Sequence, residues 1–249
     1  MTDLFCTFAE NISFMKGKLF LIPMTLGDTE IDQVIPNHIQ QLIPDIKHFI
    51  VENIRTTRRY LKKVNRDINI DELTFYELNK HSSPKDISTY LDAIANHDIG
   101  IISEAGCPGV ADPGADVVKI AHTKDIQVVP LVGPSSILLS LMGSGFNGQN
   151  FAFNGYLPIQ AGDRSKKIKQ LDNRSLNEGQ TQLFIETPFR NMKMIEDLLQ
   201  NCSSATKLCI AADITLESEY IKTMSIQAWK NKVPDLHKRP AIFLIHREK

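Results

Sequence analysis

The chain has 249 residues, of which 42% are hydrophobic and 23% are charged, a composition typical of a globular protein with one or two domains. Its net charge of −1 argues against general attraction to nucleic acids or membranes, so a nucleic-acid site has to be a local basic surface. No apolar run approaches the ~20 residues that span a bilayer, and the four cysteines form no C-x-x-C pair, so we expect a cytoplasmic protein with reduced thiols.

The first half of the chain alternates short apolar runs with helical patterns. Residues 1–16 stand outside this alternation and are expected to form an N-terminal arm. Strands are predicted at residues 19–22, 48–51, 99–103 and 126–132. Helical patterns between them include residues 87–94 and 115–121. Near-continuous apolar strands that alternate with helices predict a largely parallel, buried sheet, so residues 17–132 should form an N-terminal α/β domain.

After Gly145 the rhythm of the sequence changes. Strands are predicted at residues 182–186, 207–211, 219–224 and 241–245. Only one long helix, residues 189–199, and one short helix, residues 226–230, are predicted between them. We therefore expect a C-terminal α/β domain, residues 133–249, with some antiparallel pairing. The fold class is α/β, with two α/β domains.

Residues 143–148 (GSGFNG) match the spacing of a dinucleotide-binding loop. That function needs a strand before the glycines and a helix after them, because the helix N-terminus holds the pyrophosphate. Here a helical run, ILLSLM, comes before, and a strand-like FAF comes after. We therefore interpret these glycines as a helix C-cap followed by a loop.

Four strand ends carry loops of small residues and prolines. The longest is residues 103–114 (SEAGCPGVADPG), in which Asp112 and Pro113 are predicted as N-cap and first residue of the next helix. The others are residues 23–28, 133–136 and 186–188. Open α/β sheets bind ligands at the carboxyl ends of their strands, so these loops predict one cleft assembled from both halves.

Six short motifs follow one another along the chain. They are residues 23–28 (PMTLGD), 52–55 (ENIR), 103–108 with 112–114 (SEAGCP and DPG), 132–134 (VGP), 155–158 (GYLP), and 185–187 with Arg190 (IET and R). In this order they resemble the motifs of the tetrapyrrole methylase superfamily, the class III S-adenosylmethionine-dependent methyltransferases. The chain is most similar to the branch of ribosomal small-subunit RNA cytidine-2′-O-methyltransferases. The resemblance extends from about Leu19 to Ile245.

The resemblance implies a homodimer whose two-domain subunits bind S-adenosyl-L-methionine in the cleft between the domains. A nucleoside that lies close to the backbone needs small residues around it. The predicted cofactor-binding residues are Pro23, Gly27, Ser103, Ala105, Gly106, Cys107, Pro108, Val110, Gly133, Ser135, Ser136, Thr187 and Ala212. No histidine or cation neighbours Cys107 in sequence, so it is interpreted as a small filler of the pocket wall rather than a reactive thiol.

Two glutamates are candidates for the chemistry of a 2′-O methyl transfer. A ribose hydroxyl is a poor nucleophile until its proton is removed, so a base near the methyl group helps. Glu186 and, second, Glu52 lie at strand ends and match acids of the rRNA enzymes. They are predicted to remove the proton or to orient the substrate, and the alternative is that they hold cofactor hydroxyls or cap helices.

Basic residues point to an RNA partner, either ribosomal RNA or the small ribosomal subunit. Arg55, Arg59, Lys62 and Lys63 are the predicted phosphate contacts, and with Arg58 and Arg66 they recur at helical spacing on one face. An ordinary solvated helix face would give the same pattern. A second basic cluster consists of Arg164, Lys166, Lys167 and Lys169. The seven histidines lack metal-ligand spacing, so no metal site is expected.

Departures from the rRNA enzymes leave the methyl acceptor open. Asn53 and Glu104 replace aspartates of the family motifs, and residues 212–216 (ADITL) stand where relatives have Arg-Glu-Leu-Thr-Lys. The sequence also ends at Lys249, where relatives continue with a helical tail, so the tail's contribution is expected to be missing. The alternatives are a methyltransferase for a small molecule such as a tetrapyrrole, and a cofactor-binding protein without turnover.

Overall fold

The computed structural model describes residues 17–78 and 82–248, so the arm predicted for residues 1–16 lies outside the described residues. Within these ranges the chain forms two five-stranded sheets with helices packed on them. The sheets use separate stretches of sequence, and the predicted α/β class is confirmed. None of the helices in the same ranges has the length and apolarity needed to cross a membrane.

The first sheet is parallel throughout, as the apolar runs predicted. Its strands are β1 (Leu19–Leu21), β2 (His48–Val51), β3 (Thr74–Glu77), β4 (Ile99–Ile102) and β5 (Val128–Pro130). They lie in the order β3-β2-β4-β1-β5. The sequence prediction missed β3 because this strand lies at the edge of the sheet, where Thr74 and Glu77 are exposed and interrupt the apolar pattern.

Helices cover both faces of the first sheet. They are α1 (Ile31–Val34), α2 (Asn37–Leu42), α3 (Ile54–Val64), α4 (Pro84–Tyr90) and α5 (Gly114–Thr123). Short 3₁₀ turns lie at Ile43–Asp45, Ile70–Glu72 and Leu91–Ala95. Alternate strand residues face opposite sides, so Phe20 packs with α1, α2 and α3, whereas Leu19 packs with α4 and α5.

The second sheet is mixed. Its strands are β6 (Phe151–Tyr156), β7 (Thr181–Ile185), β8 (Lys207–Ala212), β9 (Tyr220–Ser225) and β10 (Ala241–His246), in the order β6-β7-β10-β8-β9. Strands β6 and β7 are parallel, and the other neighbours are antiparallel. The expectation of some antiparallel pairing is confirmed.

The helices of the second half include one that the sequence prediction missed. They are α6 (Ser136–Ser144), α7 (Ala161–Glu178), α8 (Asn191–Asn201) and α9 (Ile226–Trp229). The expectation of a single long helix was wrong, because α7 has 18 residues. Its buried face carries Arg164, Asp172 and Ser175 beside Ile168 and Leu171, so hydrophobic periodicity alone does not reveal it.

Helix α6 packs on the second sheet, against β8, β9 and β10. It ends at Gly145, whose φ of +74° is left-handed, so the interpretation of the GSGFNG segment as a helix C-cap is confirmed. The strands of the first sheet end at Pro130 and those of the second begin at Phe151. The exact domain boundary, between residues 132 and 133, stays a prediction.

Candidate functional site

A cleft lies between the two halves, beside the carboxyl ends of β4 and β7. Its volume is about 300 Å³, which lies at the lower end of the range for ligand pockets. Leu26 and Ala105 line it from the first half of the chain. Ser136, Glu186 and residues at the ends of β7, β8 and β10 line it from the second half. Both halves therefore contribute to one cavity.

Three of the predicted loops meet at Gly106. Its N–H and C=O bond the C=O and N–H of Met24 at 3.1 and 2.9 Å, which joins the loop after β4 to the loop after β1. Gly106 has a φ of +71°, and a Cβ at this position would lie 3.2 Å from Leu26 Cδ2 and 3.3 Å from the Pro134 carbonyl oxygen. The glycine is therefore required by its conformation and by its close neighbours.

Two further glycines also lie at close contacts between loops. A Cβ on Gly133 would lie 2.1 Å from Pro23 Cβ, and a Cβ on Gly27 would lie 2.9 Å from the Leu216 side chain. Tyr60 of α3 donates a hydrogen bond to the Pro23 carbonyl at 2.8 Å and so holds the loop after β1 against α3. The predicted small residues thus let the loops pack closely at the edge of the cleft.

Asp112 bridges the long loop to the start of the next helix. Its carboxylate accepts hydrogen bonds from the N–H groups of Gly109 and Gly114, at 2.9 and 2.7 Å. Helix α5 begins at Gly114 with Pro113 as N-cap, so the predicted helix start was one residue early. The bond to the Gly114 N–H is nevertheless the one that the predicted N-cap makes, because an N-cap side chain accepts from the second or third helical residue.

Cys107, Pro108 and Val110 surround a different pocket from the cleft. This second pocket is mainly apolar and lies beside β5, where Leu21 and Pro130 also line it. They follow the left-handed turn at Gly106 and do not line the cleft, and their assignment to the cofactor stays a prediction. Burial raises the pKa of the Cys107 thiol, which fits a packed side chain rather than a nucleophile.

Hydroxyl groups follow the strand ends as the sequence predicted. Ser103 is buried, and its hydroxyl lies 3.4 Å from the Ala105 carbonyl oxygen. Ser135 and Ser136 begin α6, and Ser136 lines the cleft. Thr187 is half-buried beside Pro188, which also lines the cleft.

Glu186 is the predicted acid that lines the cleft. Its side chain is 2% exposed, and its Oε1 accepts hydrogen bonds from Arg190 Nε at 2.9 Å, Arg190 Nη2 at 2.6 Å and the Thr187 N–H at 2.6 Å. Within residues 17–78 and 82–248, no donor bonds its other oxygen, Oε2. The charge-assisted bonds fix the carboxylate and leave Oε2 free to accept a further hydrogen bond.

Glu52 lies behind the loop after β4. It accepts a hydrogen bond from the Glu104 N–H at 3.1 Å, and it does not line the cleft. Burial raises its pKa, and the nearby carboxylates of Asp112 and Glu104 raise it further. Across the part of the chain that the structure describes, no group of three or more His, Cys, Asp or Glu side chains is arranged to hold a metal ion.

The end of β8 and the loop after it contribute cleft residues that sequence reasoning missed. Ala211, Asp213 and Leu216 line the cleft, whereas the predicted residue Ala212 packs in the core on the other face of the sheet. Strand alternation explains this difference. The sequence could have indicated Asp213 and Leu216, because both lie in residues 212–216, which stand where relatives have Arg-Glu-Leu-Thr-Lys. Asp213 is fixed by Arg239, whose Nε lies 2.7 Å from its Oδ2.

The basic residues on α3 are exposed on one face, as their spacing predicted. Two of these side chains already have partners within the protein. Lys63 Nζ forms an ion pair with Asp28 at 2.8 Å, and Lys62 Nζ donates a hydrogen bond to the Arg66 carbonyl. Within the described ranges, Arg55 and Arg59 make no ion pair. Arg58 makes none there either, but its guanidinium lies 5.4 Å from the centre of the Phe75 ring, so Arg55 and Arg59 are the most available for a phosphate on α3.

The second basic cluster is smaller than predicted. Arg164 is buried, and its Nε pairs with Asp197 Oδ2 at 2.6 Å. Its Nη1 also donates to the Pro158 and Ile159 carbonyls, at 3.2 and 2.6 Å. Arg164 therefore supports the segment after β6 and is not part of a basic surface, because its charge is neutralised in the protein interior.

Comparison with known proteins identifies the family. No model of a known family matches the chain. The ribosomal RNA small subunit methyltransferase I of Streptococcus pyogenes is 31% identical over 209 residues, which cover 82% of this chain and 68% of that protein. The chain belongs to this family. The protein of the same name from Vibrio cholerae is 25% identical over 232 residues, covering 92% of this chain and 76% of its own length.

Solved structures show the same fold. The methyltransferase CobJ matches with a TM-score of 0.61 at 12% identity, over 93% of this chain and 94% of its own. The uroporphyrin-III C-methyltransferase from Thermus thermophilus, solved in complex with S-adenosylhomocysteine, matches with a TM-score of 0.57 at 14% identity, over 93% and 98%. The resemblance to the class III methyltransferases is thus confirmed for the fold as well as the sequence.

Proposed function

We propose that this protein is an S-adenosylmethionine-dependent methyltransferase that modifies RNA of the small ribosomal subunit at a ribose 2′-hydroxyl. The observation that carries the proposal is the cleft between the two halves, together with membership of the ribosomal RNA small subunit methyltransferase I family. The cleft lies at strand ends, where α/β sheets bind ligands.

The residues of the cleft fit S-adenosylmethionine. Small side chains, Ala105, Ser136 and Ala211, leave room for a bent nucleoside, and the Glu186 Oε2 atom is a free acceptor in the same wall. The cofactor would supply an activated methyl group. The protein's contribution is to bind it, exclude water and align the acceptor oxygen.

We assign to Glu186 the hydrogen bond from the acceptor hydroxyl. Its Oε1 is held by Arg190 and the Thr187 N–H, so Oε2 has a fixed direction at the cleft wall. In that position Oε2 would orient the ribose hydroxyl and receive its proton. Glu52 is assigned to the support of the loop after β4, through its bond to the Glu104 N–H.

Single-turnover methyl transfer to small ribosomal subunits tests these assignments. Glu186→Gln keeps the shape of the side chain but removes the base, so the rate should fall by about 10²- to 10⁴-fold. Glu52→Gln should change the rate much less. Cofactor affinity, measured by calorimetry, should stay near wild type in both variants. A loss of cofactor affinity in proportion to rate would make the carboxylates cofactor ligands instead.

The methyl acceptor is tested with the wild-type protein. We expect methylation of small ribosomal subunits or of an assembly precursor, and no methylation of uroporphyrinogen III. Methylation of the tetrapyrrole alone would replace the RNA acceptor with a small molecule. Cofactor binding without methylation of either acceptor would identify a binding protein without turnover.

We further propose a cytoplasmic homodimer. Leu138 and Met142 lie on one exposed face of α6, with 52% and 77% of their surface accessible, and Val132 before the helix is 68% exposed. Apolar residues at this density commonly mark protein contacts. Light scattering should give a dimer for the wild type and a monomer for Met142→Glu. A monomeric wild type would contradict the proposal. The free thiols of Cys107, Cys202 and Cys209 suit a reducing compartment.

A further inference from the structure

Two exposed aromatic residues lie on or directly next to the wall of the cleft. Tyr156, which lines the cleft, is 60% exposed, and Phe189 is 71% exposed. Phe189 directly follows Pro188, another residue of the cleft wall. Tyr156 pairs in register with Ile185 of the neighbouring parallel strand β7, and Ile185 lies four residues before Phe189 in the sequence. Tyr156 at the end of β6 and Phe189 in the turn after β7 therefore lie on the same side of the cleft, which we call the rim.

A β-bulge sets the direction of Tyr156. The register between β6 and β7 shifts between Phe153 and Tyr156, and Gly155 in this interval has a φ of +61°. Asn154 fixes the irregularity, because its Nδ2 lies 3.2 Å from the Leu183 carbonyl oxygen. Bulges of this kind redirect the side chain that follows them. The exposure of Tyr156 is thus a consequence of how the strand is built.

Basic residues lie on the segments next to Phe189. Its ring meets the His237 ring edge-on, with centroids 6.3 Å apart. The exposed Lys238 is tied to the same segment, because its N–H bonds the Pro188 carbonyl at 3.2 Å. Arg190 follows Phe189 and remains 37% exposed although it pairs with Glu186. The rim therefore combines flat apolar rings with positive charge.

This combination suits one kind of partner. The centres of protein–protein interfaces are depleted in lysine, whereas single-stranded nucleic acids bind where bases stack on aromatic rings and cations hold the backbone. An enzyme that acts on a nucleotide must also bring that nucleotide out of its stack. An unpaired nucleotide offers both the ring and the negative charge that the rim complements.

We propose that Phe189 and Tyr156 form a stacking platform for the base of the acceptor nucleotide, with Lys238, whose N–H bonds the Pro188 carbonyl, holding its phosphate. The inference rests on the proposed function, because it names the substrate group that enters the same cleft. Stacking on the rim would position the ribose of that nucleotide toward the cleft and the Glu186 Oε2 atom.

The first test compares Phe189→Leu with a matched control, Phe151→Leu. Phe151 lies at the other end of β6 and is also exposed, at 37%. Loss of stacking on Phe189 should weaken binding of small ribosomal subunits by about 5- to 150-fold, with a similar fall in kcat/KM. The control should match wild type. Affinity for S-adenosylhomocysteine, measured by calorimetry, should be unchanged in both variants.

The second test detects stacking directly. Trp229 is the single tryptophan of the sequence and is fully buried, so Phe189→Trp adds one surface indole that reports on the platform. Binding of a single-stranded oligocytidylate should quench this indole. An oligonucleotide of the same length that lacks its bases should bind through its phosphates with little quenching. Phe189→Trp should also retain methyl transfer, since indole stacks at least as well as phenyl.

Each remaining outcome has a defined meaning. Wild-type methylation with normal RNA binding by Phe189→Leu would overturn the platform and leave the proposed function intact. A wild type that methylates no ribosomal particle would contradict the proposed function itself. Loss of S-adenosylhomocysteine affinity in Phe189→Leu would assign the ring to the cofactor. A change from dimer to monomer in Phe189→Leu would make the rim a subunit contact and also overturn the platform.

Discussion

Substitution of Gly106 tests the cleft most directly, because its backbone joins the loops around it. In Gly106→Ala the new Cβ would lie 3.2 Å from Leu26 Cδ2 and 3.3 Å from the Pro134 carbonyl oxygen, so both loops must shift by a few tenths of an ångström. Leu26 itself lines the cleft. The left-handed φ of +71° adds about 1–2 kcal/mol of strain for a residue with a Cβ.

Gly179 provides a control for the strain alone. It has a φ of +61°, and a Cβ there would meet nothing within 4 Å. It follows α7 and lies away from the cleft. Gly179→Ala and Gly106→Ala should therefore share the conformational cost of about 1–2 kcal/mol, which lowers Tm by about 2–8 °C in a protein of this size. Only Gly106→Ala should also move the cleft wall.

Calorimetry with S-adenosylhomocysteine measures the difference. We expect Gly179→Ala to bind like wild type and Gly106→Ala to lose at least about tenfold in affinity, equivalent to about 1.4 kcal/mol. Gly106→Val should lose more, because it adds two methyl groups. Thermal unfolding of each variant shows whether it is folded at the assay temperature. Equal affinity of the two alanine variants would refute the reasoning and make Gly106 a structural turn residue.

Three further predictions test the electrostatic assignments. Arg55→Glu with Arg59→Glu should weaken binding to small-subunit RNA and reduce the slope of log K against log salt by roughly 2, measured by filter binding; an unchanged slope would return α3 to an ordinary solvated face. Burial raises the pKa of Glu52 above its value in the unfolded chain. The free energy of unfolding of the wild type therefore falls as pH rises and this carboxyl group ionises. Glutamine does not ionise, so the stability of Glu52→Gln relative to wild type should increase as pH rises from about 4 to 7, measured by urea unfolding. A relative stability that decreases over this pH range would contradict the assignment. Arg164→Ala removes the buried partner of Asp197, which keeps only the more exposed Lys193 at 3.3 Å, and should lose about 3 kcal/mol. The exposed pair lost in Arg174→Ala should cost under about 1 kcal/mol, and equal losses would count against the buried pair.

The sequence alone predicts the first sheet well, because its buried parallel strands are continuous apolar runs. It predicts β3 and α7 poorly for a related reason. Edge strand β3 has exposed residues at both ends, and the inner face of α7 is partly polar. Arg164 of α7 is buried because Asp197 of α8 neutralises it, and this pairing joins residues far apart in sequence. Periodicity cannot detect a polar residue whose partner comes from another helix.

The sequence by itself determines the family and the positions of the loops around the cleft. Glycines, prolines and serines at strand ends are local signals, since each restricts or frees its own backbone. Only the tertiary structure decides which side chains reach the cleft. Ala212 faces the core while Ala211 lines the cleft, and Cys107 enters a separate pocket. These directions depend on strand register and on the left-handed turn at Gly106, which contacts with distant segments hold in place.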